Sequence, residues 1–136
     1  MTILGVDPGT RKVGFAVVDA EGQPRDLGIS PIADFGARVR LLLEQWTIAV
    51  IAVGTGTNAR TLGGELAGLG VPVTYVDERE TTLRARSLYF ADHPPRGWRR
   101  LIPLGMQLPP RPIDDYAAVL IARRYLADEG NRGNGV

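Results

Sequence analysis

Three acidic positions are placed so that folding can bring their carboxylates into one site. Asp7 follows the apolar run at 3–6, Glu78 follows the apolar run at 71–76, and Asp114 stands at the start of the last helical pattern. Converging carboxylates repel each other unless a cation is present, and oxygen ligands alone suit Mg²⁺ or Mn²⁺. One or two such ions can orient an attacking water in phosphodiester hydrolysis. The alternative for Asp7 is structural, because Asp is common at the start of a turn.

Zinc and thiol chemistry are not expected from this sequence. It contains no cysteine, and His93 is its single histidine. His93 falls in a proline-rich segment, where we expect a solvated loop residue rather than a catalytic base.

The positive charge of the chain is concentrated in one segment. The net charge is only +1, yet residues 84–111 contain six arginines and a single acid, Asp92. Arginine binds phosphate through a planar, bidentate fork, so this segment is expected to contact a nucleic-acid backbone. The arginines of the segment that we assign to substrate are Arg96, Arg99 and Arg100.

Composition favours one globular domain. The chain has 136 residues, of which 44% are hydrophobic and 23% charged, which is typical of a soluble domain with one core. No apolar run approaches the ~18 residues of a membrane helix. Met1 leads directly into a strand pattern, so we expect no signal peptide, no membrane partner and a cytoplasmic location.

The hydrophobic pattern predicts five strands. They cover residues 3–6, 13–18, 25–32, 48–53 and 71–76. Turns at Pro8-Gly9 and at 21–24 join the first three into an antiparallel meander. Pro31 makes the third an edge strand, because proline has no N–H to donate. The unbroken apolar run of the fourth is typical of a strand buried on both faces of a parallel sheet.

Helical spacing of apolar residues predicts four helices. Asp34 is expected to cap the first, Gly70 to stop the second after Leu69, and Thr81 or Thr82 to cap the third. A long loop is expected over 91–111, the last helix from about 112 to 128, and a disordered tail over 129–136.

A meander followed by strand–helix–strand crossovers is an α/β fold. It gives a mixed five-stranded sheet with helices on both faces, in a single domain over residues 1–128. Sites in such sheets form at the carboxyl ends of the parallel strands. Those ends are Asp7, the loop 54–57 and Asp77-Glu78.

Three ordered motifs resemble one known family and together span essentially the whole chain. Residues 5–16 (GVDPGTRKVGFA) resemble the opening motif of the YqgF family, also called RuvX. Residues 76–85 (VDERETTLRA) are similar to its DER-x-TT motif, and residues 113–121 (IDDYAAVLI) to its closing helix motif.

The resemblance implies an RNase H-like fold related to RuvC-type Holliday-junction resolvases. It implies a metal-dependent nuclease that processes the 5′ end of pre-16S rRNA or cuts branched DNA. By motif, Asp7, Glu78 and Asp114 become the catalytic, metal-binding acids, with Mg²⁺ or Mn²⁺ as cofactor. The residues that become candidates for holding the scissile phosphate are Thr10, Arg11, Lys12 and Arg79.

Two positions depart from the pattern that the resemblance implies. RuvC-like resolvases have another acid three residues after the helix Asp, and here that residue is Ala117. Either the site has one ligand fewer or Asp115 substitutes, although we expect Asp115 only to stabilise the helix N-terminus. The loop at 54–57 reads GTGT, where the family has Gly-Leu-Pro. In addition, the backbones of the first and fifth strands would lie about 10 Å apart if the fourth strand separates them, and the length of Glu78 and the twist of the sheet would have to close that gap.

Two other functions remain open at this stage. A non-catalytic nucleic-acid-binding or ribosome-assembly module would retain the fold without the missing acid. An ATPase of the sugar-kinase type shares the Asp-x-Gly-Thr turn, but such proteins need two domains and a longer chain. A homodimer follows only if the substrate is a four-way junction, because symmetric cutting needs two sites.

Overall fold

The structure, a computed structural model, describes residues 2–56, 58–77, 88–89, 91–93 and 114–134. Five strands form one mixed sheet: β1 (Thr2–Asp7), β2 (Lys12–Asp19), β3 (Pro24–Pro31), β4 (Ile48–Gly54) and β5 (Val73–Val76). The helices with described bounds are α1 (Ile32–Gln45), α2 (Ala59–Ala67) and α3 (Asp114–Asn134). The predicted α/β class, with its five-stranded mixed sheet and helices on both faces, is confirmed.

The strand order explains which residues can meet at one edge of the sheet. The order is β3-β2-β1-β4-β5, with β1, β2 and β3 antiparallel and with β4 parallel to both β1 and β5. The predicted meander and the edge position of β3 are therefore confirmed. Because β4 lies between β1 and β5, the ends of those two strands are separated by about 10 Å.

Side-chain alternation divides the apolar residues into two layers. In β1, Leu4 and Val6 pack with α1 and α2 on one face, whereas Ile3 packs with α3 on the other. Successive side chains of a strand point to opposite faces, so Asp7 shares the α3 face with Ile3.

Two glycines allow α3 to lie directly on this face. A Cβ added at Gly5 would overlap the backbone carbonyl oxygen of Ala118, and one added at Gly14 would overlap that of Asp114. Ala122 follows Ala118 by one turn and also approaches Gly5. The contacts hold the first turns of α3 against β1 and β2, close to the end of β1 that carries Asp7.

The start of α1 differs from the prediction that Asp34 caps it. The helix begins at Ile32, with Pro31 at the N-cap position and no side-chain cap. The Ile32 N–H donates instead to the backbone carbonyl oxygen of Arg11 at 2.9 Å. Asp34 lies inside the first turn, where a carboxylate is favoured by the positive end of the helix. This hydrogen bond also ties α1 to the turn after β1.

The end of α2 and the start of β5 also differ from their predicted positions. Helix α2 ends at Ala67 with Gly68 as its C-cap, two residues before the predicted end at Leu69. Gly70 has a φ of +85°, a conformation that ends helices and that glycine adopts without strain. Strand β5 begins at Val73 rather than at residue 71.

Helix α3 is longer than predicted. It begins at Asp114 and continues to Asn134, so residues 129–134 extend the helix instead of forming a disordered tail. Once the packed turns of a helix exist, each further residue adds one hydrogen bond at little cost. Arg124 Nε lies 3.6 Å from Asp128 Oδ1, and this ion pair spans the turn that precedes the extension.

The segment around residue 90 is described only in part. Residues 91–92 are helical rather than the start of the predicted loop, and the His93 N–H donates to the Tyr89 carbonyl oxygen at 2.8 Å. The rest of that loop, and the helix start expected at Thr81 or Thr82, lie outside the described residues. Within the described part of the chain, no helix is long and apolar enough to cross a membrane.

Candidate active site

The turn between β1 and β2 forms one wall of the candidate site. It connects Asp7 to Lys12 through four residues, and a Cβ added at Gly9 would overlap the carbonyl oxygen of Lys12. Glycine is therefore required for the turn to close this tightly. Pro8 is buried within the turn, whereas the side chain of Arg11 is exposed.

A second contact supports the turn from the loop after β4. Asn58 precedes α2 with a left-handed backbone (φ 70°), and its Nδ2 donates to the Gly9 carbonyl oxygen at 3.3 Å. Sequence reasoning placed the loop 54–57 at the edge of the sheet where sites form, but it did not single out Asn58. Asn directly before a helix was the available signal, because Asn is among the few residues enriched in the left-handed region.

The turn and the start of α3 enclose a pocket of 290 Å³. The described residues that line it are Asp7, Pro8, Gly9, Thr10, Arg11, Lys12 and Asp114. The pocket thus brings together two of the three predicted acids and three of the predicted phosphate contacts. Glu78 and Arg79 lie outside the described residues, as do Arg96, Arg99 and Arg100.

One ion pair crosses the pocket. Lys12 Nζ lies 3.5 Å from Asp114 Oδ2, and the two side chains are 47% and 35% exposed. Such an exposed pair contributes less than about 1 kcal/mol to stability. Because both side chains are partly exposed, water and other ions can reach both groups.

The donor set of the pocket fits a hard divalent cation. Asp7 and Asp114 supply carboxylate oxygens, which Mg²⁺ and Mn²⁺ prefer, and Mg²⁺ commonly uses one or two carboxylates with water and phosphate completing its shell. Among the residues that the structure describes, no group of three or more Asp, Glu, His or Cys side chains is close enough to hold a metal. A third protein ligand would have to come from elsewhere in the chain.

Asp115 has a different environment from its neighbour Asp114. It is only 4% exposed, and its Oδ1 accepts a hydrogen bond from the Tyr116 N–H at 3.0 Å. It is not among the described residues that line the pocket. This geometry favours the structural role expected for Asp115 at the helix N-terminus over a role as a substitute ligand.

Apart from Asp115, the turn of α3 that follows Asp114 consists of apolar and aromatic residues. Ala117 is 7% exposed and packs with Tyr116 and Tyr89. The His93 ring stacks on Tyr89, with ring centroids 4.6 Å apart, and lies edge-on to Tyr116. His93 is exposed as expected, but its ring belongs to an aromatic cluster instead of being free in solvent.

Asp19 lies at the opposite end of β2 from the pocket and has a structural role. Its Oδ1 accepts from the backbone N–H groups of Gln23 and Glu21 at 2.9 and 3.0 Å, and its Oδ2 pairs with Arg25 at 2.7 Å. The hydrogen bond from the Gln23 N–H does most to hold the pKa of Asp19 below its ordinary value. The hydrogen bond and the charge of Arg25 lower this pKa further.

Comparison with known proteins shows relatives along nearly the full length of the chain, although no family model matches it. A protein of Pelotomaculum thermopropionicum named "Putative pre-16S rRNA nuclease" is 34% identical, over 96% of this chain and 89% of that protein. A protein of Azotobacter vinelandii with the same name is 32% identical, over 93% of each.

Solved structures show the same architecture. Thermus thermophilus RuvC in complex with a Holliday junction substrate superposes with a TM-score of 0.63 at 21% identity, over 98% of this chain and 96% of that one. A further structure of Thermus thermophilus RuvC gives a TM-score of 0.59 at 23% identity, over 100% of this chain and 98% of that one. The predicted RNase H-like, RuvC-related fold is thereby confirmed.

Proposed function

The chain belongs to the pre-16S rRNA nuclease family (YqgF), and from this premise we propose that it is a divalent-metal-dependent endonuclease that processes the 5′ end of pre-16S rRNA. The observation that carries the proposal is the pocket shared by Asp7 and Asp114. Two carboxylates from distant parts of the chain meet there beside a turn that bears two cations, Arg11 and Lys12.

The proposed metal ligands are Asp7, Asp114 and Glu78. The first two line one pocket, and Val76, two residues before Glu78, packs on the α3 face of the sheet. A bound Mg²⁺ or Mn²⁺ would supply positive charge that activates water and stabilises the leaving oxygen of the phosphodiester. The carboxylates would hold the ion beside the turn.

The turn and the arginine-rich segment would hold the substrate. Thr10, Arg11 and Lys12 line the pocket and would donate to the oxygens of the scissile phosphate, together with Arg79. Contacts to phosphates further along the strand are assigned to Arg96, Arg99 and Arg100.

The choice of RNA follows the names of the relatives at 32–34% identity. The RuvC structures, at 21–23% identity, support the fold alone. Branched DNA therefore remains the alternative substrate, and a homodimer would follow only from that substrate. The proposed location is the cytoplasm.

A non-catalytic nucleic-acid-binding module is the second candidate function. Two observations favour it: the described lining of the pocket has only two carboxylates, and an apolar Ala117 stands one turn after Asp114.

A cleavage assay on two substrates separates these functions. Wild type, Asp7→Asn and Asp114→Asn are incubated with a precursor rRNA 5′ fragment and with a four-way DNA junction, in Mg²⁺, in Mn²⁺ and in EDTA. Glu44→Gln, an exposed change on α1, is the control. We expect wild type and control to cut the RNA only with metal, and both Asp variants to lose at least about 100-fold in rate while retaining binding.

Other outcomes of this assay have defined meanings. Cutting of the junction alone would assign branched DNA as the substrate. Binding without cutting by wild type would support the non-catalytic module. Cutting that persists in Asp7→Asn would contradict the assigned site.

A further inference from the structure

We propose that Arg60, in the first turn of α2, binds a backbone phosphate of the RNA strand outside the pocket, and that the ring of Tyr75 orders it for this contact. The inference rests on the proposed function, because it extends the same RNA-binding surface beyond the scissile phosphate. Tyr75 is a positioning residue, since it acts through Arg60 rather than on the RNA itself.

The fold places Arg60 at the edge of the sheet that carries the pocket. Helix α2 follows the carboxyl end of β4. Asn58, two residues before Arg60, donates to Gly9 in the turn that lines the pocket. Because the side chains of a helix lean toward its N-terminus, Arg60 is directed toward this same edge.

The strand register gives the reach of this contact. Tyr75 of β5 is paired with Val53 of β4, and Val53 is paired with Val6, the residue before Asp7. Two strand spacings amount to about 10 Å. Arg60, which stacks on Tyr75, is therefore suited to a phosphate near the scissile one rather than to the scissile phosphate itself.

The guanidinium group of Arg60 lies over an aromatic ring. Arg60 Cζ is 4.1 Å from the centroid of the Tyr75 ring. Gly63, one turn later on the same face of α2, leaves room for this ring, because an added Cβ would overlap the Tyr75 hydroxyl. The stack orders the arginine through the flat face of its guanidinium. The N–H donors lie in the plane of that group and are not used by the stack.

The charges around Arg60 favour an anionic ligand. Its side chain is exposed, and no carboxylate in the described part of the chain forms an ion pair with it. The acids nearest to Arg60 and Tyr75 in sequence, Glu65 on α2 and Asp77 after β5, are included in that statement. Glu65 is five positions after Arg60 and so lies on another face of the helix.

Other described arginines have partners that Arg60 lacks. Three of them use their donors within the protein, on Asp19, the Gly22 carbonyl oxygen and Asp128: Arg25, Arg123 and Arg124. Arg38 also stacks on a ring, that of Phe15 at 5.2 Å, but it lines its groove together with Asp34. Arg60 thus combines an ordered guanidinium with donors that can accept a phosphate at little further cost in side-chain entropy.

Removing the charge of Arg60 should weaken RNA binding in a salt-dependent way. In Arg60→Gln we expect the slope of log affinity against log salt to fall by about 0.7, the value for one phosphate contact on a single strand. The same effect should weaken binding by about fivefold at ~0.1 M salt. Arg60→Lys retains the charge and should keep the wild-type slope.

Removing the ring should weaken binding without changing the slope. Tyr75→Leu retains the charge of Arg60 but leaves its side chain to be ordered only when RNA binds. We expect a loss of at least about twofold in affinity at every salt concentration. Tyr75→Phe keeps the ring and should bind as wild type does.

Fluorescence anisotropy of a labelled single-stranded RNA, taken from the precursor rRNA 5′ fragment, measures these affinities in EDTA over a range of salt concentrations. Arg40→Gln is the matched control, because it removes one positive charge from an exposed position on α1 that stacks on no described ring. Circular dichroism verifies that the compared chains are folded. Independently of any variant, NMR relaxation of the free wild type should show the Arg60 Nε–H more ordered than that of Arg40.

The inference and the proposed function fail in different ways. A wild-type slope in Arg60→Gln, or an equal fall in Arg40→Gln, overturns the phosphate contact and leaves the nuclease function intact. Equal binding by Tyr75→Leu and Tyr75→Phe, or equal mobility of Arg60 and Arg40, overturns the positioning role of Tyr75. Wild type that binds RNA with the expected Arg60 dependence but never cuts it overturns the nuclease and leaves the contact. Wild type that binds no RNA overturns both.

Discussion

Gly14 lies so close to the backbone of Asp114 that no side chain fits between them. Gly14 is also the register partner of Asp7 in the antiparallel pair of β1 and β2. One residue without any side-chain chemistry therefore determines how near the start of α3 comes to the end of β1. The two carboxylates of the pocket depend on this packing.

Gly14→Ala should disturb both stability and the site. The added methyl group meets backbone, which cannot move as a flexible side chain would, so we expect a loss of about 2 kcal/mol or more in the free energy of unfolding. Metal-dependent cleavage should fall by at least about tenfold, because the carboxylates are displaced. Urea unfolding and cleavage rates measure the two effects.

Gly36→Ala is the matched control for this change. Gly36 lies within α1, and apart from its chain neighbours and the backbone of its own helix no atom lies within 4 Å of an added Cβ, so the change should be neutral or stabilise by up to ~1 kcal/mol. Equal effects of the two substitutions would contradict the close contact between α3 and the sheet.

Asn58 should contribute through both its backbone and its side chain. Asn58→Gly keeps the left-handed conformation but removes the donor to Gly9, so it should cost about 1 kcal/mol and lower cleavage several-fold. Asn58→Ala should cost roughly 1 kcal/mol more, because alanine is strained at a φ of 70°. Thermal unfolding of both variants tests the difference, and equal stabilities would count against the strain.

Asp19 should make stability depend on pH at the acid end. Because its pKa in the folded protein is lowered, its contribution is fully present above the ordinary Asp value of about 4 and is lost as pH falls below it. Wild type should exceed Asp19→Asn in stability at pH 7, and the gap should narrow toward pH 3. Urea unfolding at both pH values measures this difference in stability, and Glu44→Gln is the control for the loss of one charge. A gap independent of pH would show that Asp19 acts only through neutral hydrogen bonds.

The arginines assigned from sequence alone are tested by the salt dependence of binding. Replacing Arg96, Arg99 and Arg100 together by Ala should lower the slope of log affinity against log salt by about 2, given ~0.7 per phosphate contact on single strands. Arg40→Ala on α1 should leave the slope unchanged. A full wild-type slope in the triple variant would place the phosphate contacts elsewhere.

Several features were readable from local sequence because local physics controls them. The apolar runs predicted all five strands, and the unbroken run of β4 indicated its burial between two parallel neighbours. Pro31 indicated the edge position of β3. The prediction of Asp34 as a cap was wrong because the first N–H of α1 is satisfied by Arg11, from a turn distant in sequence. Local patterns do not reveal such a partner.

The sequence by itself determined which groups are candidates for chemistry and which elements carry them: Asp7 at the end of a strand, Asp114 at the start of a helix, and a cationic turn between the first two strands. The tertiary structure decided which of these groups meet. The pairing of Lys12 with Asp114, the contact of Asn58 with Gly9 and the burial of Asp115 depend on where α3 crosses the sheet. That crossing is set by backbone contacts at Gly5 and Gly14, between segments whose separation in space no local pattern encodes.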